Sequence, residues 1–597
     1  MSRYDDGPRS DEVPSTKAIQ SRALPPWRYR FMLIVILAAL MVLIGRIIDL
    51  QVLDHKFLQG QGDARTLRVE SIDAHRGMIT DREGEPLAIS TPVVTLWANP
   101  KELPADRVQL TMLAKALKED PAAFIDRVDR YRDKGFMYLK RQVTPEPAQA
   151  VLDLQIAGVY GKHEYKRYYP AGEVASQVLG VTNIDDHGQE GLELAYDKYL
   201  SGVPGKRRVL KDRKGRLVRD LHLIKEARPG GDLQLSINLR LQYMAYRELK
   251  AAVQEHHADA GTLVMMDAHT GEVLAMANLP SYNPNNRANM DIAGLRNRAI
   301  TDAFEPGSVV KPLAMTAGLA SGKFTPDTVI DTSPGWMRLD GYTIRDIRNF
   351  GKLTMTGIIT KSSNIGMTHM ALALPDDAVW NQYDKLGLGH APGLGFPGET
   401  TGSLPPPYHW SKAKRATIAY GYGLSVSAVQ LASAYTALTN NGKRVPPTLL
   451  KVDKPPEGDQ IVSPEIAHSV LEMMETVVGP YGGGSRAAIE GYRVAGKTGT
   501  VRKVLTTGYQ TEAYRSNFVG IAPVTDPRII TVISIDNAKG EEYYGGLVAA
   551  PIFARVAGKA LRLLDVPPDE QTHGKWESPK EQVKEAEAAN DVAESME

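Results

Sequence analysis

The chain has 597 residues, with 71 Lys/Arg against 70 Asp/Glu and a net charge of +1. That length exceeds a single hydrophobic core, so two or three domains are expected. The balanced charge gives no support to a nucleic-acid surface, and a chain without cysteine can hold neither a disulfide nor a zinc–thiolate site.

Residues 1–26 are polar and charged and read as a tail. Six Lys/Arg within residues 1–30 place it in the cytoplasm by the positive-inside rule. Phe31–Gly45 is an uninterrupted apolar run, shorter than the roughly 20 residues of a spanning helix. Counting residues 27–53 restores the length, with Arg28, Arg30 and Arg46 near the ends, where long basic side chains snorkel. No small-x-small cleavage site follows, which favours an uncleaved membrane anchor over a signal peptide.

Residues 54–230 read as an elongated, β-rich module without catalytic chemistry, with short runs such as Val93–Trp97 and frequent Gly/Pro turns. After Asp232 the texture changes. Leu241–Gln254 has helical spacing, and Gly261–Ala268 with Glu272–Asn278 reads as a hairpin turning at Thr270-Gly271. A helical middle follows, then strands at Tyr492–Val501, Asn517–Ala522 and Arg528–Ile535 and a helix at Ile552–Leu564. This order predicts an α+β domain over 231–566, an antiparallel sheet flanked by helices with a helical subdomain. Residues 567–597, rich in Glu, Lys and Ala without an apolar face, read as a disordered charged tail.

Three short motifs carry the chemistry: Ser308-Val309-Val310-Lys311, then Ser362-Ser363-Asn364, then Lys497-Thr498-Gly499. The first puts a hydroxyl and an amine on one helix face. The set supplies a serine nucleophile activated by lysine without histidine. Decoys exist: Ser411-Lys412-Ala413-Lys414 also reads S-x-x-K, and Ser236-Ile237-Asn238 and Ser281-Tyr282-Asn283 also read S-x-N. No S-x-N lies between Ser411 and Lys497, and both spare S-x-N matches precede Ser308, so only one combination keeps the order. At period two, Thr498, Thr500 and Arg502 share one strand face while Lys497 and Gly499 share the other. Two hydroxyls and a guanidinium in a row suit a terminal carboxylate, and Gly499 admits close backbone approach.

Rival readings are weaker. Gly491–Thr498 fits the P-loop pattern, but a P-loop needs a helix directly after its Lys-Thr, and Gly499-Thr500-Val501-Arg502 reads as strand. His256-His257 are adjacent, no H-E-x-x-H occurs, and the calcium-like start at Asn183 meets Leu194 at position twelve, so no metal and no cofactor are expected.

The ordered motifs, together with Arg76–Gly84, Gly191-Leu192-Glu193 with Tyr196-Asp197, and Tyr420–Val426, resemble the class B penicillin-binding proteins, more closely the division-type (FtsI, penicillin-binding protein 3) branch. The resemblance covers about residues 30 to 565. It implies an inner-membrane D,D-transpeptidase with a periplasmic catalytic domain. Such an enzyme acts on stem peptides ending in D-Ala-D-Ala and is acylated by β-lactams. Its partners would be a membrane glycosyltransferase of the FtsW type and other septal proteins. It further implies Ser308 as nucleophile, Lys311 as first-ranked base, Ser362 as proton relay and Asn364 as orienter of Lys311. Lys497 would supply a cationic field, and the backbone N–H groups of Ser308 and Thr500 an oxyanion hole. Tyr422, Tyr543 and Tyr544 either line the groove or are ordinary half-buried tyrosines. An elongation-type transpeptidase and a β-lactamase-like hydrolase stay open as alternatives; the latter would need a glutamate such as Glu399 to activate water.

Overall fold

The computed structural model describes residues 26–53, 56–57, 67–211, 217–288, 291–505, 508–569 and 578–594. All of the expected N-terminal tail except Pro26 lies outside them, as do 570–577 and 595–597 of the expected C-terminal tail. The chain forms two units, Met1–Ile72 with Pro204–Glu226, and Asp73–Val203 with Ala227–Glu597.

In the first unit, a helix over Pro26–Ile48 continues as a π-helical turn, Asp49–Leu53. It is long and apolar enough to cross a membrane, and none of its residues is buried. Arg46 pairs with Asp49 one turn on. A three-stranded antiparallel sheet completes the unit, with Gly205–Lys211 between Leu67–Ile72 and Leu217–Lys225.

The second unit begins with a sheet in which Pro86–Ala98 lies between Met137–Val143 and Val159–Tyr168. Helices Arg107–Leu117, Pro121–Arg130 and Pro145–Leu152 pack against it around Leu96, Leu113 and Phe124. Two of the stretches that carry the family resemblance meet here. Buried Arg76 binds Glu193 at 2.8 Å and Asp197 at 2.8 Å, while Arg167 binds the other Glu193 oxygen at 2.6 Å. Removing one partner would strand a buried charge, at a cost of about 3–5 kcal/mol. Asp81 joins this part to the next by accepting the Leu239 N–H at 3.0 Å, at the start of a long helix.

That helix, α1 (Leu239–Glu255), is capped by the Asn238 side chain. It leads into β1 (Ala260–Asp267) and β2 (Val273–Leu279), the expected hairpin. The helical layer contributes α2 (Lys311–Ala320), α3 (Met355–Lys361), α4 (Asn364–Ala373), α5 (Ala428–Thr439) and α6 (Pro464–Val478). The chain then returns through β3 (Ala495–Leu505), β4 (Gly508–Ala522) and β5 (Ile529–Asp536) to α7 (Ala550–Leu563). The strands form one antiparallel sheet in the order β2-β1-β5-β4-β3. Every residue of β1 is buried because both sheet faces are covered. Leu263 and Met265 pack towards α1 and α7, and Val264 and Met266 towards the helical layer. Sheet order leaves β3 at an edge, beside the helical layer.

The expected tail is corrected over part of its length. Pro579–Glu594 is a helix with Val583 and Ala586 buried, packed against the strand Lys352–Thr354. Two small apolar residues three apart make a narrow stripe that polar composition conceals. Gln582 also accepts the Thr354 hydroxyl at 3.3 Å, and Lys352 pairs with Glu587.

Candidate active site

Ser308 sits in a short 3₁₀ turn, Gly307–Val310, that runs directly into α2 at Lys311. The turn is held from several sides. Gly307 has φ +59°, and a Cβ there would lie 2.3 Å from Val501, so only glycine fits. Its N–H donates to Gly421 O at 3.0 Å, and buried Tyr435 on α5 donates to Val309 O at 2.5 Å. Glu305 accepts the Gly423 N–H at 2.7 Å, and Phe304 pairs with Val426 in both directions at 2.9 Å. The Tyr420–Val426 stretch therefore grips the nucleophile turn. The decoy Ser411 serves instead as a helix N-cap, and its Lys414 donates to Gly423 O at 2.9 Å.

Ser362 is the C-cap of α3, in the left-handed region at φ +57°. A non-glycine residue held there stores strain of about 1–3 kcal/mol, sustained by the surrounding bonds. Asn364 opens α4, where Ser363 caps the helix by accepting the Gly366 N–H at 2.9 Å. Lys497 and Gly499 lie buried on one face of β3, while Thr498 and Thr500 are half-buried and Arg502 is exposed on the other. The Lys497 face meets the nucleophile turn: a Cβ on Gly499 would touch Val309 at 3.0 Å and Pro306 O at 3.2 Å. On the opposite face, the Thr500 hydroxyl accepts the Gly545 N–H at 3.0 Å.

The three motifs converge on one hydroxyl. Lys311 Nζ donates to Ser362 O at 2.6 Å and Asn364 Oδ1 at 2.9 Å, and lies 3.2 Å from Ser362 Oγ. Lys497 Nζ donates to the same Ser362 Oγ at 3.0 Å and to Thr498 O at 3.1 Å. Both lysines are fully buried. Burial, then the neighbouring Lys497 charge, holds the Lys311 amine well below its ordinary range, against the opposing pull of Asp346. Both causes, partial burial and a second cation from Lys497, are those expected from the sequence, and burial is the larger. Burial also brings Lys497 down to about 7.

A neutral amine has two N–H donors and one lone pair. On a deprotonated Lys311, the Ser362 carbonyl and the Asn364 amide oxygen, which can only accept, would take both donors. The lone pair is left for a hydroxyl. This arrangement supports proton movement between the two lysines through Ser362 Oγ. Ser308 Oγ, half-buried one turn away, is not among the hydrogen-bond partners of Lys311 in this state.

The aromatic candidates fall in two groups. Tyr422 is half-buried, edge-on to Tyr420 with ring centroids 5.9 Å apart; burial, then Glu305, pushes its phenol up, and Arg502 opposes. Tyr543 stacks on Tyr544 at 4.5 Å and on Tyr514 at 4.4 Å. Sequence reasoning missed Tyr514, which faces Arg502 in the β3–β4 register. It also missed Asp346, whose carboxylate binds the start of α4. Glu399 ties its own loop by accepting the Leu394 N–H at 2.9 Å. The P-loop-like run enters β3, with no helix after its Lys-Thr.

Comparison with known proteins fits this geometry. Residues 261–558 match the penicillin binding protein transpeptidase domain, and residues 71–235 match the penicillin-binding protein dimerisation domain. The chain is 45% identical over 543 residues to the "Probable peptidoglycan D,D-transpeptidase PbpC" of Pseudomonas aeruginosa, covering 91% of this chain and 96% of that one. It is 42% identical over 555 residues to the peptidoglycan D,D-transpeptidase FtsI of Escherichia coli K12, covering 92% and 94%. The transpeptidase domain of Burkholderia pseudomallei penicillin-binding protein 3 superposes with a TM-score of 0.52 at 44% identity, covering 56% of this chain and 97% of that structure. The protein belongs to the class B penicillin-binding proteins and is a peptidoglycan D,D-transpeptidase of the FtsI (penicillin-binding protein 3) type.

Proposed function

We propose that the protein cross-links septal peptidoglycan through an acyl-enzyme on Ser308. It is held in the bacterial inner membrane by its N-terminal helix, with residues 1–26 in the cytoplasm and the catalytic domain in the periplasm. Lys311 takes the Ser308 proton as Ser308 Oγ adds to the penultimate D-alanine carbonyl of a donor stem peptide. The backbone N–H groups of Ser308 and Thr500 stabilise the resulting oxyanion. Collapse breaks the D-Ala-D-Ala bond, and the proton passes from Lys311 through Ser362 to the departing D-alanine amine. An amine of a second stem then attacks the ester, makes the new peptide bond and returns the proton to Ser308. Asn364 holds Lys311 and Lys497 supplies the second amine of the relay. Thr498, Thr500 and Arg502 bind the terminal carboxylate. Gly499 keeps β3 close to the nucleophile turn, and Tyr422, Tyr543 and Tyr544 line the groove. A membrane glycosyltransferase of the FtsW type supplies the glycan, and other septal proteins dock on the module before residue 231.

One observation carries this reading: Lys311 is a fully buried amine, one turn from Ser308, held by Ser362 O and Asn364 Oδ1 and within reach of the Ser362 hydroxyl. β-Lactams mimic the donor, so the test is intact-mass analysis of the full chain in detergent after incubation with a penicillin. A stable gain of one drug mass, absent in Ser308→Ala, is the expected result. Rapid drug hydrolysis without an adduct would point to a β-lactamase, and no reaction would remove Ser308 from the chemistry.

A further inference from the structure

Asp346 follows the strand Tyr342–Arg345 and lies in none of the three motifs. Its Oδ2 accepts the Ser363 hydroxyl at 2.6 Å, and its Oδ1 accepts the backbone N–H of Asn364 at 2.6 Å and of Ile365 at 3.1 Å. One carboxylate thus satisfies two of the four N–H groups that a helix start leaves open, where a negative charge is also favoured. The neighbouring Arg345 carbonyl accepts the Asn364 side-chain N–H at 3.0 Å, which turns the Asn364 amide oxygen towards Lys311. We propose that Asp346 is a positioning residue for transpeptidation: it locks the Ser362–Asn364 turn in register with Lys311 and sets a fixed negative charge against that amine. The inference rests on the Ser308–Lys311 reading above.

The charge and the clamp can be separated. The charged groups facing Lys311 are Lys497 from β3 and Asp346 from this loop. Ser362 and Asn364 at the ends of α3 and α4 are neutral, the last residue of α3, Lys361, donates instead to Tyr481 O at 2.6 Å, and Arg345 and Arg348 beside Asp346 are exposed. A carboxylate favours the protonated amine, so it raises the pH at which Lys311 becomes a base. Asp346→Asn keeps an acceptor for the two backbone N–H groups and can donate to Ser363, but it carries no charge.

The test is the rate of acylation of the full chain in detergent by a fluorescent penicillin, followed from about pH 5 to about pH 10. Asp346→Asn is expected to move the acid limb to lower pH, by more than the spread between replicates, and to keep its plateau within about threefold of the unaltered chain. Asp346→Ala, which releases the turn, is expected to lose about 10²-fold at the plateau. A superimposable profile for Asp346→Asn would overturn the electrostatic role. An Asp346→Ala protein that melts normally and acylates at the unaltered rate would overturn the positioning role. Should Asp346→Ala fail to fold, the Asp346→Asn profile decides alone, because a merely structural contact moves no pH limb. An unaltered chain that takes up no penicillin would overturn the Ser308 reading, and this inference with it.

Discussion

Ser362 Oγ stands between two buried amines that cannot both stay charged without a large cost. Moving an ammonium out of water is unfavourable, and a second one beside it adds repulsion. Lys497 at about 7 therefore carries a stability signature. The unfolded lysine binds its proton up to about pH 10.4, so between that pH and about 7 the unfolded state holds more protons than the folded one. Stability then rises with pH across this window. Below about pH 7 both states are protonated and the burial penalty is present in full; above about pH 10.4 it is gone. Lys497→Met removes the titrating group. Its stability relative to the unaltered protein should be constant below about pH 7 and should fall with rising pH through the window, by up to about 1.4 kcal/mol per pH unit. Denaturant melts at a series of pH values read this directly, and parallel stability curves for the two proteins would refute the assignment.

At the scale of elements, the nucleophile turn is positioned by backbone that leaves no room. Gly421 has φ +91°, and a Cβ there would lie 2.0 Å from Gly307 O, one residue from Ser308. Gly421→Ala forces both a strained φ and a shift of the turn. We expect a loss of about 2–4 kcal/mol in denaturant melts and about 10²-fold slower penicillin acylation, since a displacement near 1 Å is enough for that. The three motifs were legible because each is local and its spacing follows the helix or strand period. The sheet hairpin, β3 to β5 and the flanking helices were legible for the same reason. Asp346 was not: it reaches Ser363 and Ile365 across 17 and 19 residues from a loop without periodicity, and no short pattern encodes that contact. Tyr514 stands opposite Arg502 and stacks on Tyr543 only because β4 is longer than its apolar run, Asn517–Ala522, suggested; the strand starts at Gly508. The helix at Pro579–Glu594 was hidden because Val583 and Ala586 are its buried contacts in a segment otherwise dominated by Glu, Lys and Ala.

For the whole molecule, the decisive feature is that chemistry and location are encoded in separate stretches. The helix Pro26–Ile48 buries none of its residues within the protein, so its apolar surface calls for a lipid environment. Six Lys/Arg in residues 1–30 against three in residues 54–75 favour the proposed orientation, with the N-terminus inside. Alkaline phosphatase fused after Glu597 should accordingly be active, while the same enzyme fused before Met1 should be inactive; the reverse pattern would overturn the orientation. Removing residues 1–53 should then separate two measurements. Penicillin acylation in solution should stay within about twofold of the full chain, because none of the residues that hold Ser308, Lys311, Ser362 and Lys497 lies in that segment. Cross-linking of lipid-attached substrate should fall far more, because an anchored enzyme meets an anchored substrate at a raised effective concentration, a gain of about 10²–10⁴-fold in comparable tethered systems. If both activities fell together, the N-terminal segment would be needed for folding rather than location. If neither fell, the catalytic domain would reach its substrate without the anchor, and the helix would have to be explained by its contacts with partner membrane proteins.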